Sequence, residues 1–223
     1  LLALAGCKVD VTVHVQVDDD GSGTVTLTAI ADPDVVERAP DLAEDLQFDD
    51  AVAAGWTVEG PSATTDGGLQ VELTHDFATV AEATALLQSI NGVAGPLHDS
   101  SITRTETESQ ITTFLAGTLR VDGDLQAFTD SELLAAIGGS PYVDAVRDQG
   151  LAPQDAISFT LTADLPGESI GNDPATQWSA PVDGTSLAVS ATTAVARGGS
   201  GLWSTVSTVA LVESRRTGWE VDT

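Results

Sequence analysis

The chain has 223 residues, 42 % of them hydrophobic but only 4 % aromatic, so its core must be built from Val, Leu, Ile and Ala rather than from rings, which suits strands. Eight basic residues face 34 acidic ones, a formal net charge of −26; that excludes nucleic acid, which needs clustered Lys and Arg, and disfavours contact of the folded surface with anionic headgroups. Cys7 is the one cysteine, so there is no intramolecular disulfide.

Residues 1–6 read as the remnant of a lipoprotein signal peptide. An apolar run ends in the lipobox Leu4-Ala5-Gly6-Cys7. Small residues at 5 and 6 let a signal peptidase approach the backbone. The Cys7 thiol is the atom that takes a diacylglycerol group, and cleavage makes Cys7 the new N-terminus. Acyl chains hold to a bilayer at about 0.8 kcal/mol per buried CH₂, so the expected partner is the outer face of the cell membrane, through acylated Cys7. The expected location is extracytoplasmic.

From residue 9 to residue 17 every odd position is Val and every even position is polar, the alternation of a half-buried strand. Asp18-Asp19-Asp20-Gly21-Ser22-Gly23 is a turn, and residues 24–30 alternate again, which predicts a hairpin. Asp32 is placed as the N-cap of a helix with Pro33 at its first position. Pro40 breaks that helix, and a second piece runs over 41–54 to Gly55. Residues 56–59 and 69–74 form a hairpin about Thr65-Asp66-Gly67-Gly68. Val80, Ala83, Leu86, Leu87 and Ile90 are spaced for a helix over 79–90.

Residues 101–121 read as two strands joined near Glu106 to Glu108. A helical region is expected over 130–149 and a strand over 157–163. Strands over 176–180 and 186–195 are expected to meet about the Asp183-Gly184 turn. A last strand is expected over 202–212, and 214–223 is a polar tail. Hairpins separated by helices give an α+β fold, mainly antiparallel, with helices packed on one face. We assign 7–213 to a single domain. A sheet covered on one face by helices would leave an apolar cleft between the layers.

With these elements placed, the sequence resembles the LppM-like lipoproteins of actinobacteria. Gly6-Cys7-Lys8-Val9 runs directly into an alternating strand and an acidic turn. Later come Ala163-Asp164-Leu165-Pro166-Gly167, Asn172, Gln177-Trp178 and Asp183-Gly184-Thr185. The resemblance implies an extracytoplasmic α+β domain that handles envelope lipids or glycolipids. Members often carry a C-terminal membrane helix. The most apolar late run here, 202–212, contains Ser204, Thr205, Ser207 and Thr208 and is far from the roughly 20 apolar residues of a span. The resemblance brings no catalytic residues.

Other chemistry is weakly signalled, and no catalytic residue, metal ligand or cofactor is assigned. His14, His75 and His98 lack the short spacings of a metal site. Asp18, Asp19 and Asp20 lack the alternating ligands and closing Glu of a calcium loop, so they read as a turn. Gly199-Ser200-Gly201 and Gly21-Ser22-Gly23 lack the strand-to-helix setting of a nucleophile elbow. Trp178 is expected in the core, and Trp56, Trp203 and Trp219 give no sharper signal. The leading expectation is a non-catalytic domain binding an envelope lipid or glycolipid. The alternatives are a docking protein without a small-molecule ligand and an unrecognised hydrolase.

Overall fold

A computed structural model describes residues 8–91, 95–120, 157–170, 176–181 and 185–197. The lipobox, the helical region expected over 130–149, the Asp183-Gly184 turn, the strand expected over 202–212, the polar tail and Trp203 and Trp219 lie outside the described residues.

The alternating segments form β1 (Val9–Val17) and β2 (Gly23–Ala31), paired antiparallel from Val9↔Ala31 to Val17↔Gly23. Three short helices follow: α1 (Pro33–Arg38), α2 (Leu42–Asp45) and α3 (Asp49–Ala53). The helix expected over 41–54 is thus two pieces, because the chain turns extended at Leu46 before restarting at Asp49. Asp32 is the N-cap of α1, but its side chain makes no capping bond. Its backbone carbonyl accepts the Val35 and Val36 N–H groups instead.

β3 (Thr57–Ala63) and β4 (Leu69–Phe77) form the second hairpin, and β4 pairs with β2. Helix α4 (Val80–Asn91) follows. Thr79 Oγ1 accepts the Glu82 N–H at 3.3 Å, and Glu82 Oε2 accepts the Ala78 N–H at 2.7 Å. These bonds satisfy donors that a helix start would otherwise orphan. Then come β5 (Leu97–Glu106), β6 (Gln110–Leu119), β7 (Ile157–Asp164), β8 (Glu168–Ser169), β9 (Gln177–Ser179) and β10 (Leu187–Ala196).

Among the described residues the strands build two sheets. The larger runs β3-β4-β2-β1-β7-β9 and the smaller β5-β6-β10-β8. Pairing is mainly antiparallel, as the sequence predicts, with one exception. β1 and β7 are parallel, in register from Val9↔Ile157 to Gln16↔Asp164. A second correction concerns the late strands expected to meet about Asp183-Gly184. β9 pairs with β7 in the larger sheet and β10 with β6 in the smaller one. Leu161↔Trp178 is the central pair of the first ladder, and it carries Trp178 into the core as expected.

The core fills the space between the sheets and α4. Val13, Val15 and Val25 of the larger sheet, Leu87 of α4, and Leu115 and Leu119 of β6 are fully enclosed. The expected apolar cleft between layers is therefore occupied by side chains among the described residues. Helix α4 also closes an exposed strand edge. Its Thr84 Oγ1 accepts the Ile102 N–H at 2.8 Å, and Gln88 Nε2 donates to the Ser100 carbonyl at 3.1 Å. Among the described residues those β5 groups have no strand beside them, and an open edge is a pairing hazard. Ala31, Val35, Leu42 and Leu69 form a smaller cluster where α1 and α2 meet the larger sheet. Among the described residues no helix is long and apolar enough to cross a membrane.

Leu161 is fully buried on the central strand β7. Leu161→Ala is expected to cost about 2–5 kcal/mol in urea unfolding, through lost transfer energy and the cavity left behind. Val52, 57 % exposed, is the control, and Val52→Ala is expected to change stability by under about 0.5 kcal/mol.

Candidate functional site

Period-two alternation sends the Val side chains of β1 inward, so its even positions build the opposite face of the larger sheet. The register aligns those positions into rows across the strands. One row reads Thr57, Thr74, Thr26, His14, Thr162, Gln177. The next reads Glu59, Glu72, Thr28, Thr12, Thr160, Ser179. Every residue in both rows is half-buried or exposed, while the opposite face of the same strands holds the enclosed core. The result is an open surface of hydroxyl and amide groups, with carboxylates from Glu59, Glu72, Asp76 and Asp164 nearer its margins.

His14 is the centre of this face. Its Nδ1 lies 2.8 Å from Thr162 Oγ1, and its Nε2 lies 3.6 Å from Asp164 Oδ2. The Thr162 hydroxyl also reaches the Val13 carbonyl, to which it donates at 3.4 Å. A hydroxyl, an imidazole and a carboxylate in line are the parts of a nucleophilic triad. Two features separate this group from one. β1 and β7 are each flanked by strands on both sides, so the backbone N–H groups beside Thr162 belong to ladders and cannot receive an oxyanion. The Asp164 side chain is also 71 % exposed, and water screens it. The group does hold hydrogen-bonding atoms at fixed positions on the face.

The end of the sheet formed by the β1–β2 turn is the second notable place. Gly21 adopts φ +91°, which a side chain resists, and its N–H closes the turn on the Asp18 carbonyl at 2.9 Å. Asp20 accepts from the Ser22 hydroxyl at 2.6 Å and its N–H at 3.0 Å. Those bonds hold the Asp20 carboxyl below its ordinary 3.8. The turn predicted for these acids is what forms. Arg104 of β5 reaches under it, donating to the Asp19 carbonyl at 2.9 Å and pairing with Glu106, which also meets Arg197 at 3.2 Å. Val17, Asp18, Asp19, Asp20, Ser22 and Pro166 line an open depression of about 550 Å³.

The opposite end surrounds Lys8, whose ammonium meets Asp10 at 2.7 Å. Asp32 is raised above 3.8, first by burial and then by Asp10; Lys8 opposes the rise, and Asp66 and Asp34 add to it. His75 and His98 do not join His14. His75 lies within β4 with its ring edge-on to Trp56 at 5.3 Å, and His98 lies on β5. Among the described residues no three His, Cys, Asp or Glu side chains gather as a metal site. Cys7, the site residue the sequence marks most clearly, lies outside the described residues. Sequence reasoning placed His14 on the polar face but missed Thr162 and Asp164, which are distant in the chain.

No family model and no curated protein matches the sequence. Among solved structures it is similar to the NMR structure of the Mycobacterium tuberculosis LppM folded domain, with a TM-score of 0.46 and 16 % identity, over 88 % of this chain and 95 % of that one.

Because Asp32 is raised in the folded protein, the fold binds more protons than the unfolded chain from pH 3.8 up to that higher value. Stability is therefore lost as pH rises through this window. Asp32→Asn keeps an N-cap residue of similar quality and removes the charge. The variant is expected to be more stable than the parent in urea at pH 7, with the advantage disappearing at pH 3. Arg104→Ala is expected to cost about 1.5–3 kcal/mol, the range for hydrogen bonds to a charged group, and to speed amide exchange at Gly21 and Ser22. Arg104→Lys is expected to restore less than half of that loss, because an ammonium cannot fork between Asp19 and Glu106.

Proposed function

We propose that the chain is the displayed binding domain of a lipid-anchored envelope protein, held at the outer face of the membrane through acylated Cys7, that binds without catalysing. Its ligand is an envelope lipid with a neutral, hydroxyl-rich headgroup, as in a glycolipid. The observation that carries this reading is the open hydroxyl face of the larger sheet, centred on His14 and Thr162.

Rows of Thr, Ser, Gln and His offer both donors and acceptors at a regular spacing, set by strands about 4.8 Å apart. Sugar hydroxyls need that mixture. Polyanionic headgroups are disfavoured by the marginal carboxylates and the net charge of −26. The lipobox and the likeness to LppM-like lipoproteins support the anchored setting. The packed interior shapes the mechanism: recognition falls to the headgroup on the sheet face, and the acyl chains stay in the bilayer. That same packed interior favours a second reading, in which the face docks a protein of the envelope and takes no small molecule.

Mass spectrometry of lipids retained by the full chain, purified gently from an actinobacterial host, tests the proposal. A stoichiometric neutral glycolipid of unchanged mass is expected. His14→Ala combined with Thr162→Val is expected to lower its affinity at least tenfold, about 1.4 kcal/mol. Empty protein that also takes up no added glycolipid rejects the lipid reading and leaves the docking one. A recovered ligand cleaved at an ester or glycosidic bond rejects the non-catalytic part.

A further inference from the structure

The chain enters its fold without slack. The Lys8 carbonyl accepts the Asp32 N–H at 2.9 Å, and β1 begins at the next residue, Val9. Cys7 is one peptide bond before Lys8, and consecutive α-carbons lie about 3.8 Å apart. Whatever is attached to Cys7 is thus attached to the sheet itself, with no linker between.

We infer that the Lys8 end of the larger sheet is pressed onto the outer leaflet, so that the strands rise from the bilayer and the acidic β1–β2 turn is the free tip. This inference rests on acylation of Cys7 as proposed above. The register defines what reaches the lipid surface. Val9 pairs with Ala31 and Ile157, and Ala31 pairs with Leu69. The β3–β4 turn therefore lies at this end, and its Gly67 faces Pro33 of α1. β1 then climbs nine residues to Val17, about 27 Å at the usual strand rise. Arg104 ties β5 to the tip through the Asp19 carbonyl.

The partner at the Lys8 end is a lipid surface reached through acyl chains, not through charge. Asp10, Asp66 and Asp34 act on Asp32 at this end, with Lys8 as the opposing cation, so anionic headgroups oppose close contact. The tether supplies the force that charge does not. The hydroxyl face then stands upright with its Asp10 and Ser158 margin nearest the headgroups, and the depression beside Pro166 opens away from the domain's own membrane.

The test uses the full acylated lipoprotein in phosphatidylcholine vesicles containing headgroup-spin-labelled lipid. Acylation converts the Cys7 thiol to a thioether, so a single introduced cysteine takes a fluorophore uniquely. Thr65→Cys labels the β3–β4 turn, Ser62→Cys gives a second position near the same end, and Asp19→Cys labels the tip. Quenching several-fold stronger at 65 and 62 than at 19 is expected. Equal or reversed quenching, in protein whose intact mass shows the acyl chains, overturns the orientation and leaves the anchor standing. An unmodified Cys7 mass, with protein that does not float with the vesicles, overturns the anchor and the orientation together.

Discussion

Val at each odd position from Val9 to Val17 commits one side of β1 to the interior, and β1 sits where that commitment matters most. It is flanked by β2 on one edge and by β7 on the other. A slip of one residue in either ladder would turn the buried valines to water and carry His14 and Thr12 into the core. The cost of burying those polar groups without partners makes the register effectively unique. The central part of the polar rows and the contact of His14 with Thr162 follow from that alignment.

The two sides of the larger sheet divide the work. One packs against α4 and the smaller sheet, with branched aliphatic side chains supplying most of the enclosed volume. The other holds short polar side chains at fixed spacing on a rigid support. A site carried on central strands is pre-organised, because its backbone is already locked by ladders on both edges. The same locking commits the backbone N–H groups beside Thr162 to ladders, so they are not free to receive an oxyanion.

Local structure was legible in the sequence where a short-range signal exists. Alternation located β1 and β2, helical spacing located α4, and Asp and Gly located the β1–β2 turn. Pairing between distant segments was not legible, because period two reveals that a segment is a strand but not which strand it joins. The parallel β1–β7 ladder links residues 148 apart in register pairs such as Val9↔Ile157. The separation of β9 from β10 into different sheets is a choice of the same kind. The candidate site inherited that blindness: His14 could be assigned to a polar face, but Thr162 becomes its neighbour only through the long-range ladder. The split between α2 and α3 was missed for a different reason. Residues 41–54 mix helix formers with weaker ones such as Asp45, Phe48, Asp49 and Asp50, and the chain turns extended at Leu46, which packs with Leu42 against the Ala31 and Leu69 cluster.

The β1–β7 ladder also dictates an order of events during biosynthesis. β1 is made early and its parallel partner comes almost 150 residues later, so one edge of the most valine-rich strand stays open while the intervening chain is produced. Closing so large a loop is entropically costly and slows folding relative to the local hairpins. A half-finished chain would present that open edge to its neighbours, where unpaired strands invite aggregation. The β1–β2 hairpin, covering the other edge within a few residues of synthesis, halves the exposure. Completion of the fold is therefore tied to the arrival of β7, and a chain truncated before Ile157 lacks the strand needed to finish its own central sheet.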